Sequence, residues 1–124
     1  MEIEYYPADS MKNVPFSIAV RAGDMLYISG QIGTDSTGNV VSGGIVPETH
    51  QTLQNIRTAL KQHGASLDKV IKVTVMMADM TEWTEMNKVY VTYFDKHLPA
   101  RSAFGTTGLA LGARLEVECI AVLD

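Results

Sequence analysis

One cation and two carboxylates carry most of the chemistry this sequence can offer. Arg101 lies in Pro99-Ala100-Arg101-Ser102, at the start of an extended segment, and Glu116 and Glu118 follow in Leu115-Glu116-Val117-Glu118-Cys119-Ile120-Ala121-Val122. A guanidinium is a planar fork that grips a carboxylate or phosphate through two parallel hydrogen bonds. A carboxylate a short distance away can position or deprotonate a water molecule. Side chains alternate along a strand, so Glu116 and Glu118 share a face with Ile120 and Val122, while Leu115, Val117, Cys119 and Ala121 line the other. Such a face is either partly wet or met by something polar. Taken alone, these residues predict a small anion held by Arg101 and a water handled by Glu116. A solvated charge for Arg101 and a solvated strand edge for the two glutamates are the bland alternatives.

Other chemistries lack their residues. There is no P-loop and no G-x-G-x-x-G. His50, His63 and His97 form no H-E-x-x-H, and nothing else has zinc spacing, so no metal is expected. Cys119, flanked by alternating apolar residues, reads as a small buried side chain, and a single cysteine excludes an internal disulfide framework. The net charge of −4, without any run of Lys or Arg, argues against a nucleic-acid partner. No apolar stretch nears the roughly 20 residues that span a bilayer, and no basic-then-apolar leader pattern occurs, so a cytoplasmic protein without a membrane partner is expected. The length of 124 residues, 46% of them hydrophobic, predicts one domain over 1–124 with a real core.

The elements that must position these groups follow from periodicity. Met1 to Tyr6 reads as a short strand and Pro7 to Pro15 as a loop. Ser17 to Arg21 and Met25 to Ser29 are extended, with Ala22-Gly23-Asp24 as a hairpin turn. Gly30 and Gly33 bracket Gln31 and Ile32, which reads first as a plain strand exit; a backbone that bends or approaches a ligand closely is the alternative. Asp35 to Gly44 is turn-rich. Pro47 is expected to open a helix whose face is Thr49, Leu53, Ile56, Leu60 and His63, with Gly64 as its stop. His63 there reads as a packed or partly exposed ring. Val70 to Met77 is a strand, with Ile71, Val73, Val75 and Met77 expected on one face. Asp79 and Glu82 resemble a capping pair for a second helix with a core stripe of Trp83, Met86, Tyr90 and Tyr93, and Pro99 ends that segment. Ser102 to Thr106 and Leu115 to Leu123 are strands. The order β, ββ, α, β, α, β, β predicts an α+β domain with one mixed sheet and both helices on one face. Apolar residues on both strand faces leave the second face to be covered by another copy, so a homo-oligomer is expected.

The chain resembles the RidA/YjgF family of imine deaminases. The matching pieces are Ser29-Gly30-Gln31-Ile32, Thr52-Leu53-Gln54-Asn55-Ile56, Val70-Ile71-Lys72-Val73-Thr74-Val75, Asn87-Lys88-Val89-Tyr90 with Tyr93-Phe94, Pro99-Ala100-Arg101-Ser102 and Leu115 to Ala121, in family order. The resemblance implies a chorismate-mutase-like fold, a homotrimer with active sites in clefts between subunits, and hydrolysis of 2-imino acids or their enamine tautomers to 2-keto acids and ammonia. It implies no cofactor. By similarity Arg101 grips the substrate carboxylate, Glu116 orients the attacking water, Gly30 offers backbone contacts, and Ser29 and Asn87 line or support the pocket. Phe16 stands where many family deaminases carry tyrosine, Ala103 where some carry cysteine, and Gly105 to Ala113 lacks a frequent Leu-Pro-Lys. These departures motivate an alternative: a non-catalytic member that binds a small carboxylate or client proteins.

Overall fold

Gly23, at φ 59°, turns the chain between strands β2 (Ser17–Ala22) and β3 (Met25–Gln31), and Ala22 pairs with Met25 across that hairpin. The structure, a computed structural model, describes residues 1–8 and 13–124, so part of the loop expected from Pro7 to Pro15 lies outside the described residues. The remaining elements are β1 (Ile3–Pro7), α1 (Ile45–Gln62), β4 (Val70–Met77), α2 (Trp83–Tyr90), β5 (Ala100–Gly105) and β6 (Leu115–Val122), in the order expected. A small β-bridge between Thr34 and Val40 closes the start of the turn-rich stretch from Asp35 to Gly44.

The six strands form one mixed sheet in the order β1-β2-β3-β6-β4-β5. β4 and β5 are parallel and the other neighbours antiparallel. A parallel pair needs a crossover, and α2 supplies it. α1 carries the chain from β3 to β4, and β6 later enters between them.

One sheet face meets the helices. Leu26, Ile28, Val73, Val75, Met77, Leu115, Val117 and Cys119 are buried there with Leu53, Ile56 and Leu60 of α1 and Met86 and Tyr90 of α2. Each large aliphatic side chain fully buried in this way stabilises the fold by about 1.5–3 kcal/mol. The other face stays open. Across three strands Val20 pairs with Tyr27 and Tyr27 with Ile120, and Met76 lies beside Phe104. Tyr27 and Phe104 remain 44% and 48% exposed, an apolar patch of the kind that another molecule covers.

Three local expectations need correction. Pro47 does not open α1: the helix starts two residues earlier, at Ile45, with Gly44 at φ 95° before it. Proline fits there because any first-turn residue lacks an intrahelical acceptor for its N–H. Ile71 does not share the buried face of β4. The pairing with β6 slips between Val70 and Lys72, which buries Val70 and turns Ile71 outward. Asp79 caps a single 3-10 turn, Met80–Glu82, by accepting the Thr81 N–H at 2.9 Å, but Glu82 does not complete the capping pair. Its carboxylate instead accepts from Arg114 at 2.8 Å. Gly64 follows the end of α1 at φ 84°, as a helix stop does. His63 is half-buried, with Nδ1 2.8 Å from the Ala59 carbonyl.

Candidate functional site

Arg101 is the second residue of β5, the edge strand, and its register partner is Val73. Val73 belongs to the buried face of β4, so Arg101 points to the helix side. There its guanidinium carbon lies 5.0 Å from the Trp83 ring centroid and 4.7 Å from that of Tyr90. Its Nη1 donates to Asn87 Oδ1 at 2.7 Å. All three partners come from one face of α2, three and four residues apart. Stacking on aromatic faces and one hydrogen bond fix the plane of the fork. This is how a cation is held ready for an anion rather than left to wander in solvent. Trp83 and Tyr90 were expected only as core residues. Their placement beneath Arg101 is a role that helical spacing could not reveal, because it depends on which strand lies under the helix.

The Tyr90 hydroxyl is buried and, among the described residues, has no hydrogen-bond partner. Burial pushes its pKa up to about 12, against the pull of the Arg101 cation. It stays a neutral phenol beside the guanidinium. Ala103, two residues along β5, shares the Arg101 face and packs against the core.

Glu116 is organised differently. It pairs with Met76, three residues from Val73 on β4, an odd step that places it on the opposite face of the sheet. Its carboxylate is half-buried on the open face. The reason lies in β3, where the pairing with β6 slips between Ile28 and Gln31. Three steps on β3 there match two on β6, a bulge containing Ser29 and Gly30. Gly30 meets Glu116 directly: an added Cβ would overlap Oε2 and lie 2.9 Å from Cδ. The two-glycine segment therefore does bend, and it makes room for a carboxylate. Ser29 Oγ donates to the Ser17 carbonyl at 2.6 Å, tying the bulge to β2 one residue after the exposed Phe16.

The seven residues singled out from sequence thus fall into two groups. Arg101, Asn87 and Ala103 gather on the helix side at the β5 edge, and Glu116, Gly30 and Ser29, with Phe16 beside them in the chain, gather at the β3 bulge. Within one chain the structure does not bring Arg101 and Glu116 together. β4 lies between their strands, and the sheet separates their side chains. Two surface depressions of about 290 and 390 Å³ lie elsewhere. One is lined by Arg57, Tyr93 and Lys96, the other by Gln31, Asn55 and Gln62, and neither by Arg101 or Glu116.

Cys119 is buried, and burial foremost, with Glu118 adding to it, pushes its thiol up to about 12. It is no nucleophile at neutral pH. Among the described residues no group of three or more His, Cys, Asp or Glu is gathered as metal ligands, and no helix is long and apolar enough to cross a membrane.

A further carboxylate escaped sequence reading. Glu48, in the first turn of α1, is only 3% exposed, and its Oε2 accepts the backbone N–H groups of Arg114 at 2.6 Å and Leu115 at 3.1 Å. Burial raises its pKa, against the lowering pull of those two N–H groups. The signal was its place on the buried stripe Ile45, Glu48, Thr49, Thr52, Leu53 and Ile56, where a charge is out of pattern.

The family model described as Endoribonuclease L-PSP matches residues 8–123. The chain belongs to this family. Among its relatives, the 2-iminobutanoate/2-iminopropanoate deaminase of Mus musculus is 45% identical over 109 residues, 87% of this chain and 81% of the mouse protein. Among similar solved structures, RidA from an Antarctic Psychrobacter is 31% identical. It superposes with a TM-score of 0.85 over 96% of this chain and 94% of its own. TdcF of E. coli, solved with bound serine, is 29% identical, with a TM-score of 0.84 over 97% and 94%.

Proposed function

We propose that this L-PSP family member is an imine deaminase. Its substrates are 2-imino acids of the 2-iminobutanoate and 2-iminopropanoate type, or their enamine tautomers. Water adds across the C=N bond, the resulting carbinolamine expels ammonia, and a 2-keto acid remains. An imine carbon is already electrophilic, so the protein needs an anchor, an oriented water and a shielded site more than a strong nucleophile.

The observation that carries this is the prepared guanidinium. Arg101, stacked on Trp83 and Tyr90 and bonded to Asn87, takes the substrate carboxylate. Glu116 accepts a proton from the attacking water, Gly30 contributes backbone contacts, and Phe16, Ser29 and Ala103 line the pocket. The relatives support the same chemistry, since the mouse protein bears the deaminase name at 45% identity.

The working particle is a homotrimer of the domain 1–124, with each site in a cleft where Arg101 of one protomer faces Glu116 of the next. The opposed faces of the two residues and the uncovered apolar sheet support this arrangement. A cytoplasmic setting fits the free, buried thiol of the single cysteine.

The test is release of ammonia and 2-keto acid from freshly generated 2-iminobutanoate. Acceleration well above the spontaneous rate is expected. No acceleration by correctly folded oligomer would leave the chain as a non-catalytic binder of small carboxylates, the outcome that Phe16 in place of a tyrosine would then explain.

A further inference from the structure

We infer that Glu48 is a positioning residue for Glu116, setting the course of β6 one residue before the catalytic carboxylate leaves it. The inference rests on the proposed role of Glu116.

The chain approaches β6 through two successive residues in the left-handed region, Leu111 at φ 56° and Gly112 at φ 68°. Leucine is uncommon there, so this turn is not what local preference would choose. One residue further on, after Ala113, the adjacent N–H groups of Arg114 and Leu115 converge on one oxygen of Glu48. In a regular strand successive N–H groups point to opposite sides, so this convergence defines the bend at which β6 begins. The Arg114 guanidinium donates to Glu82 and acts on Glu48 only as a nearby charge. What Glu48 holds is therefore backbone. The α1 end of the contact is equally constrained: a Cβ at Gly33 would lie 2.8 Å from the Glu48 carbonyl oxygen and 3.0 Å from its Cγ. The first turn of α1 thus sits with no slack on the chain just beyond β3, and its carboxylate reaches across to the start of β6.

Glu116 follows directly and must fit against Gly30 with no room to spare. A displacement of about 1 Å in a catalytic group can cost about a hundredfold in rate. Arg101, on the other face of the sheet, has no part in this contact.

A kinetic double-mutant cycle tests the inference with the full chain. Glu48→Ala is expected to lower kcat about tenfold with KM changed less than about twofold. In a Glu116→Gln background the same change is expected to lower kcat by less than about twofold, because the group it positions is already disabled. Glu48→Gln, which keeps an acceptor oxygen, is expected to restore most of the loss. Should Glu48→Ala not fold, Glu48→Asp, too short by one methylene to reach both N–H groups, takes its place in the cycle with the same pattern expected. Equal losses in both backgrounds, or unchanged kcat, overturn the inference. If Glu116→Gln alone keeps wild-type kcat, the proposed role of Glu116 fails as well, and the two failures are told apart by that single variant.

Discussion

The Glu116 carboxylate stands where a side chain at Gly30 would have to be. Gly30 is not in the left-handed region, so alanine would be accepted by the backbone and refused only by the carboxylate. That carboxylate is the free end of a flexible side chain and can rotate aside at small cost. Gly30→Ala is therefore expected to lower stability by only about 1 kcal/mol and kcat/KM by about tenfold or more. Thermal melts and steady-state deamination on the same preparation check both. Wild-type kinetics in a well-folded Gly30→Ala protein would show that the close approach has no catalytic use.

Arg101 is expected to tolerate no replacement. Truncating one partner of a buried charged contact costs about 2–5 kcal/mol, so Arg101→Ala should lower kcat/KM by about 30-fold or more. Arg101→Lys should recover little. An ammonium keeps the charge but loses the fork, the stacking on Trp83 and Tyr90, and the flat geometry that presents an N–H to Asn87. Measured kcat/KM for the two variants decides, and a lysine variant as active as the wild type would reduce the anchor to a point charge.

Glu48 gives a pH dependence with a definite sign. Burial raises its pKa above the ordinary 4.5, so between that value and the raised one the folded protein holds a proton that the unfolded chain has released. Stability from this group is complete below 4.5 and declines as pH rises through the folded pKa. In Glu48→Gln the slope is absent. The unfolding free energy of the wild type minus that of the variant is thus expected to fall as pH rises from about 4. Asp35, Asp68 and Asp79, whose hydrogen bonds to neighbouring Thr or Ser hydroxyls hold them low, act in the opposite sense but equally in both proteins. Denaturant titrations across that range measure the difference. A difference that grows with pH would mean that the two N–H bonds outweigh burial.

Alternation along β6 was enough to put Glu116 and Glu118 on the face away from Val117 and Cys119, and the structure agrees. Gly30 and Gly33 alone favour a plain strand exit, and it is the slip in pairing between Ile28 and Gln31 that decides for a bend. The side of the sheet taken by Arg101 was not legible, because it depends on the register of β5 against β4, two strands joined by a helix. Alternation within one strand says nothing about its phase relative to another. The outward turn of Ile71 is hidden for a similar reason, since a slip in pairing breaks the period that the pattern assumes. The burial of Glu48 is not legible, because a charged residue on a helix usually faces water. Only the backbone of Arg114 and Leu115, remote in sequence, gives it a reason to be inside.

The separation of Arg101 and Glu116 by the sheet gives the sharpest test of the proposed assembly. If each site takes Arg101 from one protomer and Glu116 from its neighbour, Arg101→Ala and Glu116→Ala homotrimers are both inactive, yet a mixture need not be. Unfolded together, combined in equal amounts and refolded, the two variants assort at random. A site is then whole when its Arg101 comes from the Glu116→Ala chain and its Glu116 from the Arg101→Ala chain. That pairing occurs in about one site in four, so about a quarter of the wild-type activity is expected to return. Mixing the folded trimers without exchange should restore nothing. If one chain supplied both residues to a site, every site in the mixture would lack one of them and activity would stay at the level of the parents. The recovered fraction therefore reads out whether the anchor and the water-handling carboxylate meet across a subunit boundary.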